Sequence, residues 1–199
     1  MGSSNFTSTR SQVYAKLESI LRSAEEEFQE KYLVDILLNE IEKIENTFSL
    51  DLSKLKSVIF EGELPNIESL KDFTNKNIAN YLIKVVKLKR DRFLVKAILK
   101  YVKDLYERVS SIHNPTTSSY LIQNLIEEYN AVLEVLRKNL GLLPPSVKAH
   151  FIGRIVSDNF HVDWQNTHKF LKLNVKYLYE YLSTLVADDD LPFSLYRPL

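Results

Sequence analysis

Apolar residues recur at steps of three and four from about residue 13 to residue 140, and this period constrains the chain more than any other feature. A spacing near 3.6 places such residues on one side of an α-helix, whereas in a strand it would scatter them over both faces. Val13, Leu17, Ile20, Leu21, Ala24 and Phe28 form the first stripe, with Ser8 or Thr9 as the expected N-cap. Tyr32, Leu33, Ile36, Leu37, Glu40, Ile41, Ile44 and Phe48 form the second. Residues 49–66, punctuated by Gly62 and Pro65, read as a connector with room for one short turn of helix. From Ile67 to about Ile112 the pattern returns, with Tyr81, Leu82, Val85, Leu88, Phe93, Leu94, Ala97, Ile98, Tyr101, Val102, Leu105 and Val109 on a broad face. Its β-branched residues do not outweigh the period over so long a window. Residues 113–119 read as a loop, and Leu121, Leu125, Ile126, Tyr129, Val132, Leu133 and Leu136 mark another helix. Gly141 is a natural stop, and Pro144-Pro145 prevents continuation.

Beyond the prolines the pattern changes. "VKAHFIGRIV" reads as a strand and "FHVDW" as a possible second one. "KFLKLNV" alternates, although a helix start is equally allowed there. Leu178, Leu182, Leu185 and Val186 suit one or two helical turns, and Pro192 and Pro198 confine "LPFSLYRPL" to an edge strand. The predicted fold class is therefore mainly α: an N-terminal helical bundle domain (10–141), a linker (142–147) and a small C-terminal β-rich (α+β) domain (148–199). A module that small has a marginal core and is expected to need a partner or to dock on the helices.

Composition closes off several chemistries. The absence of cysteine excludes disulfides, cysteine nucleophiles and thiolate metal sites, and it fits an intracellular protein. Four glycines leave little material for phosphate-binding loops, and no apolar run approaches the ~20 residues needed to span a bilayer. The start of the chain, "MGSSNFTSTR", lacks the apolar stretch of a signal peptide. Lysine, arginine, aspartate and glutamate sum to zero net charge, so the total does not mark a nucleic-acid binder.

Charge is nonetheless uneven. Residues 18–45 are rich in acids, while Lys84, Lys87, Lys89, Arg90, Arg92, Lys96, Lys100, Lys103 and Arg108 crowd one later helix. Either these faces attract each other within a bundle, or the basic helix meets an acidic partner or a phosphate backbone. His161, Asp163 and His168 lie close together but match no helical metal-ligand spacing, so ordinary histidines are the better reading. The acidic run in "ADDDLP" reads as a solvated loop or helix end. No G-x-S-x-G or comparable signature supports an enzyme, and neither catalytic residues nor a cofactor are expected. The single Trp164, near Phe160 and Phe170, reads as core of the small module or as an anchor for a partner.

Three stretches carry a resemblance to a known family. "LKRDRFLVKAILKYVKDLYERVSSI" (88–112), "IEEYNAVLEVLRKNLGLLPPSV" (126–147) and the tail over 147–196 are similar to the central helix, the last helix with its linker, and the terminal domain of GINS subunits that place their helical domain first. The tail departs from the family pattern by lacking a glycine-aspartate before its short helix. The composition would suit an archaeal thermophile. The resemblance implies a non-catalytic subunit of a tetramer that scaffolds and activates the MCM replicative helicase in DNA replication. Its implied partners are sister GINS subunits, MCM and a RecJ-like protein, with room for a weak DNA contact and none for a membrane. The compartment would be cytoplasm or nucleoid in an archaeon and nucleus in a eukaryote. The residues expected at a partner interface are Lys89, Arg90, Arg92, Phe93, Tyr101 and Arg108 on the basic helix, with Phe151, Trp164 and Phe170 in the tail. The competing readings are a helical adaptor unrelated to replication and a direct nucleic-acid binder acting through residues 84–108.

Overall fold

The computed structural model describes residues 2–144, 156 and 159–187, with side chains from Thr9 onward. Its helices are α1 (Gly2–Lys31), α2 (Leu33–Phe48), α3 (Ser53–Phe60), α4 (Lys76–Ser110), α5 (Ser119–Leu140) and α6 (Trp164–Val186), with a 3-10 turn at Ile67–Asp72. The chain packs into two compact units: Ser23–Leu94 forms one, and the described residues on either side of it form the other. The divisions fall inside α1 and α4, so each of these helices contributes to both units.

In the Ser23–Leu94 unit the period of the sequence becomes a core. Leu37, Ile41 and Ile44 of α2 pack with Leu55 and Ile59 of α3, Leu70 of the 3-10 turn, and Ala79, Leu82, Ile83 and Val86 of α4. Each Leu or Ile buried this way contributes about 1.5–3 kcal/mol relative to exposure. α2 ends where Ser49 takes a left-handed conformation (φ 53°) and returns its N–H to the Glu45 carbonyl. The connector of the sequence reading is structured by short-range bonds: Asp51 accepts from the Ser53 N–H at 3.0 Å, and Asn66 caps the 3-10 turn by accepting from the Ser69 N–H at 3.1 Å. The helical pattern expected without interruption from Ile67 is broken at residues 73–75, where Asn75 caps α4 through the Asn77 N–H at 2.7 Å. At the other end, α1 begins at Gly2 and runs through Ser8 and Thr9, so neither of these caps it.

The other unit is organised around α5. Its buried residues, Ile122, Leu125, Ile126, Tyr129, Asn130, Ala131, Val132, Val135, Leu136 and Leu140, point in nearly every direction around the helix axis, which requires neighbours on several sides. Leu17 and Leu21 of α1, Ile98, Val102, Leu105 and Val109 of α4, and Leu171, Val175, Leu178, Leu182 and Leu185 of α6 are buried in the same unit. Gly141 (φ 64°) ends α5 with its N–H on the Arg137 carbonyl, as the sequence indicated.

The β-rich C-terminal domain is the main correction. Residues 164–186 are one helix, and the described residues contain no strand beyond an isolated antiparallel bridge between Val156 and Val162. The alternation of Leu171, Leu173 and Val175 suggested a strand, in which all three would share a face. The helix separates them instead: Leu171 and Val175 are fully buried while Leu173 is 38% exposed. Of the expected strand at residues 147–156 only Val156 is described, and the edge strand at 191–199 lies outside the described residues. "FHVDW" holds only the Val162 bridge and the cap of α6, where Asp163 accepts from the Asn166 N–H at 3.0 Å.

Candidate docking cleft

The last turn of α2 and the first turns of α4 stand apart at their solvent side. Between them lies an open cleft of about 740 Å³, lined by Lys43, Ile44, Thr47, Phe48, Leu50, Asn75, Asn77, Ile78 and Tyr81. Local structure explains why these side chains reach it. The left-handed Ser49 turns the chain sharply after Phe48, and the Leu50 N–H binds the Glu45 carbonyl at 3.2 Å, which carries Leu50 round to the same side. On the opposite wall the Asn75 cap fixes where α4 starts, and hence the phase at which Asn77, Ile78 and Tyr81 point.

The cleft is largely apolar and open to solvent. Phe48 is 67% exposed, Leu50 44% and Tyr81 48%. Scattered surface apolar residues are ordinary; here three converge on one concavity, the arrangement that makes this cleft the candidate site. Its floor has one polar anchor. Glu40, buried in α2, accepts from the Tyr81 hydroxyl at 3.2 Å and from Lys43 Nζ at 3.5 Å. Burial, with the Glu40 carboxylate second, raises the Tyr81 pKa above its ordinary value. Elsewhere in the same unit, Lys56 Nζ lies 2.7 Å from Glu45, and the Leu52 N–H binds the same carboxylate at 2.8 Å. These two bonds, the lysine first, hold the Glu45 pKa below the usual carboxylate value.

The other unit contains a polar cluster of a different kind. Glu128 on α5 accepts from Arg108 Nη1 and Nη2 at 2.7 and 2.8 Å and from the Tyr101 hydroxyl, and Arg108 Nε reaches Asp104 at 2.8 Å. Lys16 of α1 lies 5.6 Å from the Tyr101 ring centre. The bidentate bond to Glu128 raises the Arg108 pKa, and burial, with Glu128 second, raises that of Tyr101. Through Glu128 this cluster joins α4 to α5. Arg10, 2.6 Å from Glu127, ties α1 to α5.

The residues expected at an interface are spread over both units. Lys89 is exposed. Arg90 is paired with Glu25 at 3.3 Å and Asp91 at 3.2 Å, and Arg92 is buried. Phe93 packs against the rings of Phe28 and Tyr32, with centres 5.9 and 5.3 Å apart. Tyr101 is buried, and Arg108 meets it at Glu128. Trp164 and Phe170 are half-buried on α6, and Phe151 lies outside the described residues. The structure thus brings Tyr101 and Arg108 together and spends Arg90, Phe93 and Arg108 on contacts within the chain. Of the acidic and basic faces weighed from sequence, Arg90 and Glu25 form one pair across them, while Lys87 lies 3.1 Å from Glu68 outside the acidic stretch. His168 lies 2.7 Å from the Val109 carbonyl through Nε2, and Asp163 caps α6; among the described residues no group of His, Asp and Glu is placed to hold a metal.

Sequence reasoning did not single out the cleft. Phe48 and Tyr81 were assigned to helix stripes and Leu50 to the connector. The available signal was an apolar residue closing a helix immediately before a second apolar residue in the break, as in Phe48-Ser49-Leu50. Among the described residues, no helix is long and apolar enough to cross a membrane. No family model, curated protein or solved structure matches this chain.

Proposed function

We propose that this chain is a non-catalytic helical adaptor that receives a segment of another protein in the cleft between α2 and α4. The observation that carries this reading is the convergence of Phe48, Leu50 and Tyr81, all substantially exposed, on one concavity with Ile44 and Ile78. Burying a Phe or Leu of this kind in an interface yields about 1.5–3 kcal/mol each before the costs of association. The polar clusters in both units are engaged in holding helices together, which supports a binding role over a catalytic one.

A narrower form of the reading makes the chain a GINS-type subunit acting with sister subunits, the MCM helicase and a RecJ-like partner in DNA replication. An unbroken helix through 88–110 and a helix end at Gly141, just before Leu142-Leu143-Pro144, favour it. The part of the likeness that rested on a β-rich terminal domain has no support, because residues 164–186 are helix. The broader adaptor reading is therefore the conclusion.

Affinity capture with the wild-type chain and with Phe48→Ser, followed by reconstitution from purified components, tests it. A captured protein that rebinds the wild type in pure form and is lost with Phe48→Ser bears the reading out. Partners that bind both forms equally move the interface elsewhere. Light scattering of the chain mixed with GINS sister subunits and MCM separates the narrower form: a defined complex supports it, and a monomer that ignores them removes it.

A further inference from the structure

We infer that the cleft between α2 and α4 accepts an amphipathic helix of a partner protein that carries a carboxylate beside its apolar anchors. This rests on the docking reading above and specifies its partner. The shape of the site comes first. The walls are two helix ends, and residues 23–94 contain no strand whose edge could pair with an extended peptide. Recognition must therefore come from side chains, and a helix laid in a groove presents anchors at the required three- and four-residue spacing.

Charge then selects among amphipathic helices. Acids outnumber bases over residues 23–94, yet no carboxylate lines the cleft and its only charged lining residue is Lys43. Glu40, which touches that lining from below, is buried and already accepts from Tyr81 and Lys43. The Lys43 side chain is 72% exposed, and its single long contact with Glu40 leaves ammonium hydrogens for a ligand. The opposite wall carries Asn75, Asn77 and Ile78 at the N-terminus of α4, where the aligned peptide dipoles also favour negative charge. Thr47, Asn75 and Asn77 add only neutral polar groups to the lining, so its one cation and the α4 N-terminus both favour an acidic over a basic flank.

Fluorescence polarisation on the full chain tests this with three labelled synthetic helices. They share one Leu/Phe face and carry glutamate, glutamine or lysine at the flanking positions. The expected result is that the glutamate helix binds about five- to tenfold more tightly than the lysine helix at low salt, that the gap narrows at high salt, and that Lys43→Glu reverses the order. Methyl resonances of Ile44 and Ile78 should shift on binding, and Phe48→Ser should abolish binding by all three while circular dichroism stays unchanged. Equal affinity for the three helices, or preference for lysine, overturns the acidic specificity and leaves docking standing. If none of the helices perturbs Ile44 or Ile78, the inference falls, and the capture comparison with Phe48→Ser judges docking separately. A concentration-dependent dimer that Phe48→Ser dissolves also overturns it, by giving the cleft to a second copy of the chain.

Discussion

In the α5-centred unit, Tyr101, Glu128, Arg108 and His168 lie within the helix packing, and each holds one helix to another. In the Ser23–Leu94 unit, Phe48, Leu50 and Tyr81 remain largely in solvent along one cleft. The first arrangement sets polar groups inside, where each must find a partner or cost free energy. The second leaves apolar groups outside, where they forgo the stabilisation burial would bring. The difference shows that polarity alone does not identify a functional residue. Tyr101 and Arg108, charged and aromatic residues expected at an interface, make contacts within the chain, whereas ordinary apolar residues at a helix end stay exposed along a cleft.

The contrast can be broken most severely at Leu125, which is fully buried in α5. Leu125→Ala should lower stability by about 2–5 kcal/mol in urea denaturation of the full chain, from lost transfer energy plus the cavity left behind. Glu128→Ala should cost less, about 1–3 kcal/mol, because it strips Tyr101 and Arg108 of their shared acceptor while water reaches the partly exposed guanidinium. A cost near zero would mean the cluster is not needed for packing. Asp163→Ala removes the cap of α6 and should cost about 1 kcal/mol, with a small loss of helical circular dichroism. An unchanged spectrum and stability would count against the helix start at Trp164.

The two units should also respond to opposite ends of the pH scale. Burial raises the Tyr129 pKa from 10 to about 12 in the α5-centred unit. A raised value means that its contribution is fully present below pH 10 and lost as pH rises through about 12. Ultraviolet titration should accordingly show a late-ionising tyrosine that disappears in Tyr129→Phe. In the other unit Glu45 lies below its ordinary 4.5, through Lys56 and the Leu52 N–H. Its contribution is present above pH 4.5 and lost as the pH falls through the lowered value, and exchange of the Leu52 amide should accelerate over that range but not in Glu45→Gln. The smallest stability effect is expected at Phe48. Phe48→Ser should change stability by no more than about 0.5 kcal/mol while abolishing partner capture. A large loss of stability would make Phe48 a core residue and sink the cleft as a docking site.

Most of the helical scaffold was legible in the sequence. The stripes of α1, α2, α4 and α5 are strongly periodic, and Gly141 ends α5 where a residue without a Cβ adopts a left-handed turn at little cost. α6 was not legible as a whole. Its buried face carries Thr167 and His168 before Leu171, and Asn174 between Leu171 and Val175, so the apolar count along the first half of that face is interrupted. Those polar residues are acceptable inside because of remote or backbone partners: the His168 ring lies 2.7 Å from the carbonyl of Val109, and the Asn174 amide donates to that of Phe170 at 2.9 Å. A hydrogen bond across 59 residues leaves no periodic trace in the chain.

The sequence by itself determined that the periodic stretches before Gly141 become helices and where several of them stop, because periodicity, caps and glycine conformations act within a few residues. Tertiary structure alone decided which faces those helices would cover. Arg90 and Arg108 became internal partners because Glu25 and Glu128 from distant segments came to lie beside them, and Arg92 became buried. Phe48, Leu50 and Tyr81 became a cleft because nothing else in the Ser23–Leu94 unit covers the gap between the end of α2 and the start of α4. Burial and pairing depend on where the rest of the chain goes, and local sequence carries no record of that.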